Sequence, residues 1–182
     1  MTDQRAAVRR AFREALGETG PLAALFAYWE RKAGDAEMPP RAAVDPTEIP
    51  EVLPILYLLE PIGEDAYRFR LAGTGVRELF NAEPTGRTVD DMLPEPRLRD
   101  AAQRSYATVM RDRRPWLTDT LYELETGDTF RYRRLALPLG AGGVVERILG
   151  GFELSGDPRR RRPFHEILPQ VTATLDRREV AG

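Results

Sequence analysis

The sequence predicts an α+β domain: a five-stranded antiparallel sheet with short helices and one long helix on one face, plus an N-terminal helical extension. Three observations carry this. Five strand-like runs fall into two groups, two before Gly73 and three after Pro115. Between the groups lie turn signals and one long segment of helical periodicity. Two amphipathic segments with helical spacing precede the first strand. Helices inserted between antiparallel strands must pack on a face of the sheet those strands form.

In chain order, Val8, Phe12, Ala15 and Leu16 recur at helical spacing, and Gly17 is a stop. Pro21 suits the first turn of a second helix, whose stripe is Leu22, Leu25, Phe26 and Trp29. Asp45-Pro46-Thr47-Glu48 is a helix-start signal with Glu48 placed for a capping box, and Pro50 and Pro54 limit that helix to about one turn. The run 55–59 reads as a buried strand, and Pro61, Gly63 and Asp65 fall in a turn. In the next strand Tyr67, Phe69 and Leu71 alternate with Arg68 and Arg70. Short helical pieces follow over 73–94, one of them capped by Thr88. A long helix spans 97–111, with Leu98, Ala102, Ser105, Tyr106 and Val109 on one face. Strands over 116–125, 129–139 and 144–154 close the domain, with hairpin loops at Gly127-Asp128 and at 140–143.

These elements divide the 182 residues into a helical extension (1–36), a core domain (37–156) and an Arg-rich linker with a short C-terminal helix (157–182), whose stripe is Leu168, Val171 and Leu175. A chain this long buries about 70% of its unfolded surface and folds on its own core. No apolar run reaches the roughly 20 residues of a membrane span, and the N-terminus lacks the apolar stretch of a signal peptide. Neither membrane association nor secretion is expected, and the cytoplasm is the default compartment. The net charge of −2 gives no bulk attraction to nucleic acid. Of 27 basic residues only Lys32 is lysine, so single arginines carry less functional information than elsewhere.

Several stretches are familiar in order and spacing: Pro40-Arg41 through Asp45-Pro46-Thr47-Glu48-Ile49-Pro50 to Pro54, Tyr67-Arg68-Phe69-Arg70-Leu71-Ala72-Gly73-Thr74, Glu78-Leu79-Phe80, Thr85-Gly86-Arg87, and Tyr132 to Leu139 with Leu137-Pro138-Leu139, followed by Ile148-Leu149-Gly150. These residues, and the order of the elements, resemble a stand-alone PAS family abundant in alphaproteobacteria. The resemblance covers roughly 22–154. What it implies is a small sensory or adaptor domain, frequently dimeric, and it implies no particular ligand.

Catalytic motifs are weak. The single histidine, His165, lies in the tail and reads as a surface residue, and neither Ser105 nor Ser155 has a nucleophile-elbow signature. Asp90-Asp91 and the group Glu123, Glu125 and Asp128 read as solvated turn residues, and the glycine loop 140–143 reads as a hairpin rather than a phosphate cradle. Without cysteine no cysteinyl chromophore or Fe–S cluster is expected. With one histidine no metal site is expected, and haem lacks a ligand in the core. The arginine run 159–162 is a solvated tether or a contact for an acidic protein surface.

A cavity between the sheet and the short helices is either packed core or a site for a small organic ligand. Its candidate lining is Phe69, Leu71, Thr74, Val76, Leu79, Phe80, Met92, Tyr106, Val109, Leu117, Leu135, Leu137 and Ile148, with Thr118 as a further polar group. The fourth strand carries apolar residues at both parities, so both faces of the sheet need covering. The Trp29 helix covers the second face, which leaves the helix of Val8, Phe12 and Leu16 to pair with a second chain, with Leu22, Leu25, Phe26 and Trp29 as further candidate dimer or partner contacts. The expected protein is a non-catalytic sensing or interaction domain, a homodimer with a possible signalling partner; the alternative is a small-molecule enzyme using the same cavity.

Overall fold

One sheet of six antiparallel strands, its central strands buried on both faces, forms the core of the computed structural model, which describes residues 2–156 and 171–181. The strands are β1 (Leu56–Gly63), β2 (Ala66–Ala72), β3 (Trp116–Leu124), β4 (Thr129–Ala141), β5 (Val144–Gly156) and β6 (Val171–Ala181), arranged β2-β1-β5-β4-β3-β6. The helices are α1 (Thr2–Leu16), α2 (Pro21–Ala33), α3 (Thr74–Phe80), α4 (Val89–Met92) and α5 (Pro96–Asp112). Three 3-10 turns, Arg41–Ala43, Pro46–Glu48 and Pro50–Ile55, lead into β1. Burial on both sides explains why β1 reads as a continuous apolar run: Leu56 and Leu58 enter one core, Tyr57 and Leu59 the other.

On the first face, α1 and α2 form a hairpin over the central strands. Leu22, Leu25, Phe26 and Trp29 are fully or almost fully buried against Leu117, Leu135, Leu137, Leu139 and Leu149. The indole N–H of Trp29 donates to the Pro138 carbonyl oxygen at 2.8 Å, which fixes α2 to β4. The N-cap of α2 is Gly20, which has no side chain to offer; Glu153 of β5 supplies the acceptor instead, taking the Leu22 N–H at 3.1 Å. On the second face lie α3, α4 and α5. Thr88 and Asp91 close a full capping box on α4, and the Glu95 side chain accepts the Leu98 N–H at 2.9 Å to start α5.

Four expectations change. The sheet has a sixth strand: 171–181 is β6, paired antiparallel with β3, not a C-terminal helix. β3 otherwise presents a row of unpaired backbone groups, and pairing that edge outweighs the helical spacing of Val171 and Leu175. Helix α1 is spent within the chain. Phe12 is fully buried and stacks on Phe26 at 5.4 Å, Leu16 is buried, and Val8 packs partly against the same core. Arg133 of β4 donates to the Ala15 carbonyl at 2.6 Å and Arg13 pairs with Glu30 at 2.8 Å, so the stripe expected to dock a second copy docks on its own sheet. Glu48 forms no capping box; it pairs with Lys32 at 2.7 Å, and Asp45 alone caps the turn through the Thr47 N–H. The β1–β2 turn is also tighter than expected, with strand structure through Gly63 and Asp65 at φ 55°. Leu168, His165 and the arginine run 159–162 lie outside the described residues.

Candidate functional site

On the second face the sheet and helices leave a cavity of about 30 Å³. β1 contributes Tyr57, β2 Phe69, α3 Val76, Leu79 and Phe80, α4 Val89, and α5 Tyr106; Leu93 follows α4, and Tyr132, Arg134 and Phe152 come from β4 and β5. The walls are mostly apolar and aromatic: Tyr57 meets Phe69 edge-on at 6.0 Å, as Phe69 meets Phe80. Phe80 and Leu93 are only partly buried, which puts the mouth between α3 and α4. This volume holds a water or a small polar head group; anything longer must push Phe80 and Leu93 outward.

Two adjacent glycines of β5 make room for opposite layers. Gly150 pairs with Tyr57, and a Cβ there would fall inside the Tyr57 ring. At Gly151 a Cβ would point to the other face and meet Leu25 at 2.9 Å and Leu22 at 3.2 Å. The first glycine thus seats Tyr57 at the cavity and the second seats α2.

Arg134 is the unusual member. Its residue is 8% exposed, yet among the described residues no carboxylate pairs with it. Nη2 donates to Ser105 Oγ at 2.6 Å, while the guanidinium lies 4.8 Å from the centre of the Tyr106 ring. Nε is buried with no hydrogen-bond acceptor. Burial is the largest influence on its guanidinium and opposes the charge, and what works against burial is the dipoles of the Tyr106, Tyr132 and Tyr57 hydroxyls rather than any anion. Burial pushes the Tyr57 and Tyr132 phenols well up, so both are neutral near pH 7. Tyr106 donates to the Tyr57 hydroxyl at 3.2 Å, and Ser105 donates to the Ala102 carbonyl at 2.7 Å.

Of the residues expected to line the cavity, Phe69, Val76, Leu79, Phe80 and Tyr106 do so. Met92, Val109 and Ile148 belong to the same core without reaching the cavity. Leu71, Leu117, Leu135 and Leu137 face the α1–α2 hairpin instead. Cross-strand pairing decides this, since partners share a face: Leu71 pairs with Leu58 and Leu117 with Leu135. Thr74 is exposed on the first turn of α3, and buried Thr118 accepts the Trp116 indole N–H at 3.2 Å. The sequence reading missed Tyr57, Val89, Leu93, Tyr132, Arg134 and Phe152. A signal existed for two: Tyr132 and Arg134 share strand parity with Phe130 and Ala136, a row that points inward.

The acidic pair Asp90-Asp91 and the glycine loop have structural roles. Asp91 is in its capping box, Asp90 accepts from Gln103 at 2.6 Å, and Gly142 and Gly143 form the tight β4–β5 turn at φ 61° and 78°. Among the described residues no group of three His, Cys, Asp or Glu side chains is placed to hold a metal ion, and no helix is long and apolar enough to cross a membrane.

A single antiparallel sheet with short helices and one long helix enclosing a small aromatic cavity defines an α+β module of one sheet covered by helices. A family model described as PAS domain matches residues 18–153, and the chain belongs to that family. Among solved structures it is similar to the PAS domain from Bordetella pertussis BvgS, at 20% identity and a TM-score of 0.47, over 62% of this chain and 85% of that one. No curated protein matches the chain. PAS domains are generally sensory or interaction modules without catalysis of their own.

Proposed function

We propose that the protein is a non-catalytic sensor that binds a small organic ligand in the Arg134 cavity and relays occupancy through the sheet to the α1–α2 hairpin, whose outer surface a signalling partner reads. The observation that carries this reading is the cavity itself. It is polar at one end and apolar elsewhere, and its mouth is formed by the shortest helices of the fold. The chemistry of its lining supports binding over turnover. Two of its phenols are held neutral, the guanidinium stays protonated, and the Ser105 hydroxyl beside it is already engaged. None is a base or an activated nucleophile near neutral pH.

Native mass spectrometry of the freshly purified protein, followed by the same sample denatured, tests the reading. An added mass that survives native spray and disappears on denaturation is the expected result. A bare species that acquires no mass from a metabolite extract would overturn ligand sensing and leave an interaction module with a packed core.

A further inference from the structure

We infer that the ligand is a small organic monocarboxylate, its carboxylate held by Arg134 and its apolar part lying toward Val76, Leu79, Phe80 and Leu93. This rests on the ligand-sensing reading above and specifies its chemistry. The argument starts from a charge without a counter-charge. An arginine more than nine-tenths buried is ordinarily paired, because removing a cation from water costs several kcal/mol unless an anion compensates. Here the partners are a serine oxygen, a tyrosine hydroxyl and an aromatic face, all neutral, and Nε–H has no protein acceptor.

A water would satisfy Nε but leave the charge uncompensated. An anion satisfies both, and a carboxylate also matches the planar donor geometry of the guanidinium. Valence and shape narrow the class. One cation lines the cavity, so a monoanion balances it and a phosphate dianion does not. The remaining wall is apolar from α3 to Leu93, which suits a hydrocarbon body and is wasted on a bare inorganic ion. The volume of about 30 Å³ seats the head group, and displacement of the partly buried Phe80 and Leu93 admits the body. Such a ligand also reports its presence, because admitting the body moves α3 and α4.

The test is thermal denaturation and calorimetric titration of the full chain with acetate, butyrate and benzoate. Their uncharged amides, chloride and inorganic phosphate serve as comparisons. At a hundred times Kd, at least one carboxylate is expected to raise Tm by about 5–10 °C while its amide does nothing. Arg134→Met should lose at least tenfold in carboxylate affinity, with Arg134→Lys falling between the two. An amide that stabilises as well as its acid overturns the inference, as does stabilisation by chloride or phosphate alone, or a folded Arg134→Met that binds unchanged. The acid–amide comparison needs no variant and therefore stands even if Arg134→Met does not fold. A neutral added mass in the native spectrum would sink the carboxylate while leaving ligand sensing intact; no added mass and no stabilisation would sink both.

Discussion

Replacing Gly150 with alanine should damage the protein through one identifiable collision. The new Cβ would lie inside the Tyr57 ring, overlapping two ring carbons and the hydroxyl. A leucine can turn a methyl aside, but an aromatic ring moves as a plate. Tyr57 is 3% exposed, with Phe69 and Tyr106 against it, and a void of about 30 Å³ cannot receive a displaced phenol. Overpacking of this kind costs about 1–3 kcal/mol, here toward the upper end because the ring is rigid. Loss of the Tyr106–Tyr57 hydrogen bond adds about 1 kcal/mol. Removing glycine from a strand returns roughly 0.5–1 kcal/mol. The net is a loss of about 2–3 kcal/mol, measurable as a lower urea midpoint with unchanged m-value. Gly151→Ala is the control. The nearest atoms to its Cβ are leucine and isoleucine methyls at 2.9–3.2 Å, which can turn aside, so its net effect should stay within about 1 kcal/mol. The decisive measurement is a double-mutant cycle with Tyr57→Val, which clears the space that the added methyl needs. A coupling of about 1 kcal/mol or more is expected, with the double variant more stable than additivity allows. Additive effects would refute the claim that Gly150 exists to seat Tyr57.

Two further predictions concern other parts of the structure. Glu153→Ala should cost about 1–2 kcal/mol and speed hydrogen exchange in the first turn of α2, because the Leu22 N–H loses its acceptor. Glu153→Gln keeps an acceptor and should cost less; equal loss in both would assign the effect to the Arg133 ion pair at 3.4 Å instead. The second concerns acid. Hydrogen bonds from Arg68 depress the Glu60 pKa, those from Thr47 depress Asp45, and those from Thr88 depress Asp91. A carboxylate with a depressed folded pKa contributes stability above its unfolded value near 4, and that contribution is lost as pH falls through the folded value. The urea midpoint should therefore be flat from about pH 8 to 6 as far as these groups are concerned, and drop below about pH 4. A midpoint equal at pH 6 and pH 3 would show that these bonds do not form in solution.

Much of the fold was legible because local chemistry and tertiary structure agree. Thr88 caps α4 as expected, the strand expected from residue 55 runs from Leu56 with Leu56 to Leu59 buried on alternate faces, and α5 follows its periodicity to within a residue at each end. Legibility failed where a remote partner decides. Residues 171–181 have a helical alternative and become β6 only because β3, distant in sequence, offers an edge. The faces of Leu117, Leu135 and Leu137 depend on register, and a one-residue change of parity exchanges the cavity for the hairpin. Arg134 was hidden by composition: in a chain with one lysine and many arginines, a single arginine attracts no notice until its strand neighbours show which way it points.

The same alternation explains why a cavity on one face can influence a helix hairpin on the other. Arg134 and Leu135 are consecutive on β4, as are Gly150 and Gly151 on β5, and within each pair the first member serves the cavity layer and the second packs against the hairpin layer. Leu135 also pairs with Gly151 across the two strands, so one cross-strand pair carries the contact with Leu22 and Leu25. One backbone thickness separates the layers. A packed interior transmits small displacements rather than absorbing them. On the proposed reading, a ligand that drew Arg134 toward the mouth would act on the β4 backbone that also holds the Trp29 indole through Pro138 and the end of α1 through Arg133. Such a relay needs no separate output domain, because the surface that changes is the hairpin already seated on the sheet. Its strength is bounded by the difference in ligand affinity between the two packings, so a ligand bound equally by both would occupy the cavity and signal nothing.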